Sequence, residues 1–178
     1  MSIRQRIMRG ACVLACVLSA SQLAVAGQRT PSSPKYGVTV IASKPAALVN
    51  AKTYTWMVGQ PSYDKAVDQQ IVAAVDRELA ARGFKKLTSG KGDVEVSYGS
   101  LNRTDTDLKA KPAANGARPE IAVGTLVVEL RNPANSQDPY FRVRMDTPID
   151  KSDPSKLEAT VNEAVAEMFT KYPTPTKR

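Results

Sequence analysis

The chain contains no histidine, and its only two cysteines, Cys12 and Cys16, both lie in the first twenty residues. Absent histidine removes the usual proton shuttle and the commonest metal ligand. Residues downstream of Cys16 can hold no disulfide, thiolate nucleophile or thiolate metal site. Aromatic residues make up 6% of the chain, with Trp56 the single tryptophan, so few positions can stack a base or a sugar. Beyond the N-terminal segment no apolar run approaches the ~20 residues needed to span a bilayer, so the remainder is expected to carry no transmembrane span.

What is present begins with an export signal. Arg4, Arg6 and Arg9 form a basic start, an apolar run extends from Ala11 to about Ala20, and Ala24-Val25-Ala26 fits a cleavage site. Residues 1–26 are therefore expected to be a cleaved signal peptide, which makes the protein periplasmic. A competing reading lipidates Cys16. It leaves only about six residues between Arg9 and Cys16, short of the roughly 7–15 of an apolar h-region, so an outer-membrane lipid anchor is the minor alternative. Losing Arg4, Arg6 and Arg9 with the signal lowers the formal charge from +8 to +5. The remaining basic residues are scattered, as on a solvated surface, and no nucleic acid is expected as a partner.

Residues 27–35 read as a disordered leader, 36–172 as a single α+β domain and 173–178 as a polar tail. Val38 to Ala42 and Thr53 to Met57 read as strands. Val67, Ile71, Ala74, Val75 and Leu79 recur at helical spacing from Asp64 to Arg82, Gly83 is placed to end that helix, and Glu78 and Arg82 form an i,i+4 pair on its outer face. A turn at Ser89-Gly90-Lys91-Gly92 precedes the alternating strand Asp93 to Tyr98. Residues 99–119 lack periodicity and read as a long loop, or as an extended hairpin arm turning at Asn115-Gly116. Strands Ile121 to Leu130 and Tyr140 to Met145 follow, joined by a loop over residues 132–139. Asp153 and Pro154 open a last helix whose apolar stripe is Leu157, Val161, Ala164, Val165, Met168, Phe169 and Tyr172, ended by Pro173. The order β-β-α-β-β-β-β-α predicts a two-layer sandwich, a mostly antiparallel sheet with two amphipathic helices on one face.

Four stretches carry a family likeness: Lys52-Thr53-Tyr54-Thr55-Trp56, the helix end Glu78-Leu79-Ala80-Ala81-Arg82-Gly83-Phe84, the strand Asp93-Val94-Glu95-Val96-Ser97-Tyr98, and Gly124-Thr125-Leu126-Val127-Val128-Glu129-Leu130. In that order they resemble the bacterial envelope family catalogued as domain of unknown function 4136, whose members are mostly small predicted lipoproteins. The resemblance spans roughly residues 36–172 and implies the fold and the envelope compartment. Two features depart from the family pattern. No cysteine stands at a convincing lipidation position, and Tyr140-Phe141-Arg142-Val143-Arg144 replaces a Trp-x-Gly. The element order is also similar to small periplasmic domains that serve as accessory subunits of envelope machines, an analogy at the level of fold.

Candidate sites are few. Tyr54 and Trp56 could stack on a sugar or partner, or could form the rim of the core. Arg131, Arg142 and Arg144 share a sheet face that could bind an anionic headgroup or polymer, or could be the polar side of a one-faced sheet. Asp105/Asp107 and Asp146/Asp150 are carboxylate pairs, but Asp105-Thr106-Asp107 lacks the glycine and terminal glutamate of a calcium loop and a zinc site without histidine would need carboxylates alone, so no metal is expected. Pro154-Ser155-Lys156 and Ala42-Ser43-Lys44 are isolated, and Ser89-Gly90-Lys91-Gly92 has no following helix to cradle phosphate. No catalytic residue or cofactor is expected. The chain reads as a non-catalytic binding or accessory module engaging an envelope protein through a sheet edge or the 99–119 segment, with an anionic small molecule, lipid headgroup or polysaccharide on the arginine face as the alternative.

Overall fold

The computed structural model describes residues 37–57, 59, 61–149 and 154–173. The expected signal peptide, the leader, the N-cap Asp153, Asp150 and the tail after Pro173 lie outside them. Strands β1 (Gly37–Ser43), β2 (Thr53–Trp56), β3 (Lys85–Lys86), β4 (Val94–Thr106), β5 (Glu120–Asn132) and β6 (Asn135–Pro148) form one sheet in the order β1-β6-β5-β4-β2-β3. Helices α2 (Lys65–Ala81) and α3 (Pro154–Thr170) join it through a common hydrophobic core, and a one-turn helix, α1 (Pro45–Leu48), sits between β1 and β2. The fold is the expected α+β sandwich with a mostly antiparallel sheet. The exception is β2, which pairs parallel to both β3 and β4.

Alternation along the long strands sets the layers. Val94 and Val96 on β4, Leu126, Val128 and Leu130 on β5, and Phe141, Val143 and Met145 on β6 are buried and join one core with Ile71, Val75 and Leu79 of α2 and Val161, Val165 and Phe169 of α3. Each large apolar side chain taken fully out of water contributes about 1.5–3 kcal/mol, so this stripe-on-sheet contact dominates stability.

One stretch follows the second of its two expected readings, and two others differ from expectation. Over residues 99–119, β4 continues to Thr106 and β5 starts at Glu120, so the pair forms the extended hairpin arm, with residues 107–119 as the loop at its end. Its tip turns at Ala113-Ala114-Asn115-Gly116, where the Gly116 amide donates to the Ala113 carbonyl at 2.9 Å and Gly116 takes the left-handed φ of 79°. Residues 132–139 are likewise strand, apart from a tight turn at Pro133-Ala134. Pro139 is tolerated there because it falls where the β5–β6 register shifts and β1 no longer pairs. Finally, Glu78 and Arg82 do form the i,i+4 ion pair (2.8 Å), but not on an outer face. Glu78 is buried, and the Arg82 guanidinium lies 5.0 Å from the centre of the Phe169 ring and donates to the Phe169 carbonyl at 2.6 Å. The pair is a polar seam between α2 and α3.

Local signals explain both ends of α2. The Asp64 carboxylate accepts from the Ala66 and Val67 amides, a side-chain N-cap. At the other end Gly83 adopts φ 84°, its amide bonds to the Ala80 carbonyl, and the Phe84 amide returns to Leu79, a Schellman closure. Phe84 then packs edge-on against Tyr54 and Tyr172.

The aromatic residues of β2 and β4 are tied to α2 by carboxylates. Asp76 accepts from the Tyr54 hydroxyl (2.7 Å), Trp56 Nε1 (2.8 Å) and Lys86 Nζ (2.8 Å). Asp68 accepts from the Tyr98 hydroxyl, which itself accepts from the Ser62 amide at 3.1 Å. Burial raises the Tyr54 hydroxyl well above its ordinary value, with Asp76 adding to the shift. Burial, then Asp68, pushes Tyr98 up to about 12.

Two outcomes are expected. Asp76→Ala strands the buried Tyr54 hydroxyl without its acceptor and destabilises the protein by about 1–3 kcal/mol in urea unfolding, with a shifted Trp56 emission. Raised tyrosine pKa values favour the protonated, folded form, so their contribution is complete below the unfolded value near pH 10 and is lost as pH rises through the folded values. Phenolate absorbance from Tyr54 and Tyr98 should therefore appear only with cooperative loss of circular dichroism, near or above pH 12 for Tyr98. Ionisation of all six tyrosines with a native spectrum would contradict this assignment.

Candidate functional site

The sheet face turned away from the helices carries its charge in two clusters, placed by strand register. Glu129 of β5 stands opposite Arg142 of β6 and Ser97 of β4, with Arg131 two residues along its own strand. The Arg131 guanidinium pairs with Glu129 Oε2, and Arg142 Nε lies 2.7 Å from Oε1 as an ion-pair contact without hydrogen-bond alignment. Ser97 Oγ donates from 3.4 Å. Glu129 is thereby only 4% exposed although it faces outward, because the two arginine stems cover it.

One pleat further on, Asp146 of β6 faces Thr125 of β5. Asp146 accepts from Arg144 (3.0 and 3.1 Å), Thr125 Oγ1 (2.5 Å) and Arg103 (2.9 Å). Bonding to Arg144, then to Thr125 and Arg103, holds its carboxyl far below the usual carboxylate range against the opposing effect of burial. Arg103 also pairs with Asp105 at 3.0 Å. A shallow groove of about 500 Å3, floored by Gly99 and Val127 between these clusters, ends at Arg131 and Arg142. Four guanidinium groups here meet three carboxylates, so the face is close to internally neutralised.

Register thus brings Arg131 and Arg142 together on one carboxylate and sends Arg144 to another. Tyr54 and Trp56 also meet, at Asp76 on the helix side of the sheet, far from a shared outer surface with the arginines. Tyr54 is 2% exposed and Trp56 half-buried, its ring edge-on to Tyr98. Asp107 accepts from the Lys109 and Ala110 amides of its own turn, and Asp105 is taken by Arg103, so this carboxylate pair does not converge. Among the described residues no three carboxylates gather as a metal site, and no helix is long and apolar enough to cross a membrane.

Sequence reasoning missed a different feature. β2 pairs with β4 only as far as Val96, and Met57 adds one more bond to the Val96 carbonyl. Among the described residues, Ser100–Thr106 pair with β5 alone, which leaves the distal half of β4 as an open edge. Leu101 on that edge is 61% exposed, Leu108 just beyond it 77%, and Tyr63 borders the same opening as Leu101. The sequence signal available was the lone leucine in a polar stretch, Ser100-Leu101-Asn102-Arg103-Thr104-Asp105.

The fold recurs in solved structures of distant sequence. A PDZ domain protein from Parabacteroides distasonis is similar over 80% of this chain, with a TM-score of 0.52 and 13% identity, and the chain spans 36% of that protein's length. A PelC dodecamer from Paraburkholderia phytofirmans is similar over 78% of this chain and 99% of its own, with a TM-score of 0.51 and 10% identity. These likenesses concern the fold alone. No curated protein matches significantly. A family model described as "Domain of unknown function (DUF4136)" matches residues 38–174, a range that takes in the sheet, its hairpin arm and the helices, and the chain belongs to that family.

Proposed function

We propose that this chain is a non-catalytic binding or accessory protein of the bacterial cell envelope, exported to the periplasm, that engages another envelope protein through the open edge of β4 and the hairpin arm. The observation that carries the reading is that edge. Unpaired strand backbone is a template for another strand, and most proteins cover it or blunt it with charge. Here Arg103 and Asp105 blunt it, while Leu101 and Leu108 stay exposed at either side of them. Backbone pairing would supply affinity and the leucines the apolar contact. Export is supported by the basic start, apolar run and Ala24-Val25-Ala26 of the N-terminal segment.

The second reading, an anionic ligand on the arginine face, draws on Arg142 and Arg144, whose side chains are 43% and 45% exposed. An anion there must compete with Glu129 and Asp146 for the same guanidinium groups, which favours the edge.

Photo-crosslinking in cells separates the two. A photoreactive residue at Leu101 or Leu108 should give one recurrent protein adduct, which Leu101→Asp abolishes and Arg142→Ala/Arg144→Ala leaves intact. Adducts only to lipid or glycan, lost in raised salt and in the double arginine variant, would overturn the edge reading in favour of the anionic ligand.

A further inference from the structure

The hairpin arm loses its neighbours on both flanks before it ends. On the β4 side, the Met57 amide makes the last bond from the β2 segment, to the Val96 carbonyl. On the β5 side, β6 pairs no further than Pro148 opposite Val123, and the Ile149 amide adds one bond to the Ala122 carbonyl at 3.0 Å. Beyond the Thr104–Ala122 pair, the described residues show β4 and β5 alone. A two-stranded ribbon is marginal in water, and this one buries no residue from Gly99 to Thr106. Its own packing gives it little reason to stay straight.

Arg103 stands where the arm leaves the sheet, and its side chain turns back over the outer face. Nη1 donates to Thr125 Oγ1 of β5 at 2.6 Å and to Asp146 Oδ1 of β6 at 2.9 Å, so one guanidinium spans three strands. Nε donates to both oxygens of Asp105, two residues further along the arm, at 3.0 Å. Thr125 donates to the same Asp146 oxygen at 2.5 Å, and Arg144 holds Asp146 from its own strand. Arginine suits this place because its planar fork holds two carboxylates at fixed angles, which an ammonium does not.

Strand parity ties this bracket to the open edge. The Asp107 amide donates to the Pro119 carbonyl at 2.8 Å, so alternation turns the amides of Arg103 and Asp105 toward β5. Those of Asn102 and Thr104 face the open side, beside the two residues that the bracket grips. The pair that blunts the edge with charge is thus also the pair that braces it.

We propose that Arg103 is a positioning residue, whose bracket to Asp146 and Asp105 holds the distal half of β4 as a preformed strand in the free chain. An incoming strand then meets a finished edge and is spared the ordering cost of the residues it pairs with. That benefit rests on the edge reading above, whereas the bracket itself is measurable without a partner.

Amide hydrogen exchange of the free protein gives the test, with Asp105 and Asp107 reporting the arm and Val128 and Val143 the central strands. The Arg103 and Asp146 side chains are 35% and 34% exposed, so water screens the contact and the expected effect is moderate. Arg103→Gln and Asp146→Asn should each speed arm exchange about fivefold relative to the central strands. The double variant should go no further than either single, because both remove one shared contact. Arg144→Ala, which keeps the Arg103 contacts, should leave arm exchange unchanged. In cells, Arg103→Gln should also lower the protein adduct from a photoreactive residue at Leu108 about fivefold. Arm exchange that follows the central strands in Arg103→Gln, additive single variants, or an equal response to Arg144→Ala would overturn the bracket. An undiminished adduct in Arg103→Gln would overturn the preformed edge. A chain that yields no protein adduct even unaltered would sink the edge reading instead, and the exchange rates would still decide the bracket.

Discussion

Burying a tyrosine and most of a tryptophan beneath a helix demands an acceptor for each polar tip, and in this chain both tips fall on the carboxylate of Asp76. That single group fixes where α2 lies over β2, and Lys86 binds its second oxygen to bring in β3. β2 is only four residues long and joins the sheet by parallel pairing, so its own hydrogen bonds hold it weakly. The polar anchor on α2 compensates. Asp68 repeats the device one strand over with Tyr98, and the side of the sheet that would otherwise be thinnest becomes continuous with the helix layer.

The same economy governs the outer face, where arginines and carboxylates satisfy one another across strands. Glu129 and Asp146 each draw two guanidinium groups, leaving little net field to attract a distant anion. The two faces thus solve opposite problems: one lends charge to buried aromatics, the other cancels charge in the open. What neither solves is the distal half of β4, which among the described residues pairs with β5 alone.

Much of this architecture is legible in sequence wherever burial imposes a period. The stripe of α3, the Gly83 closure of α2 and the alternation of β5 and β6 each follow from one buried face. The hairpin arm is legible only through its Asn115-Gly116 turn, because no residue from Gly99 to Thr106 is buried and no alternation marks them as strand. Glu78 and Arg82 show a different limit: spacing announces their pairing, but not that Phe169 and Tyr172 of a distant helix cover it. Arg142 and Arg144 share a face by parity, and Glu129 and Arg131 do likewise, yet which pairs meet depends on register. Arg103 was hidden with the arm that carries it. Asp76 has no sequence signal at all, since a carboxylate in the middle of a helix ordinarily marks a solvated position.

The account rests most heavily on β4 having an open edge beyond the reach of β2, and amide hydrogen exchange of the free protein reads that edge residue by residue. Along Ser100–Thr106, amides turned toward β5 should be protected and those between them should exchange fast, while Glu95 and Val96, flanked by β2 and β5, stay protected throughout. Uniform protection of Ser100–Thr106 at high dilution would mean the edge is already covered within the chain, and the partner would have to bind elsewhere.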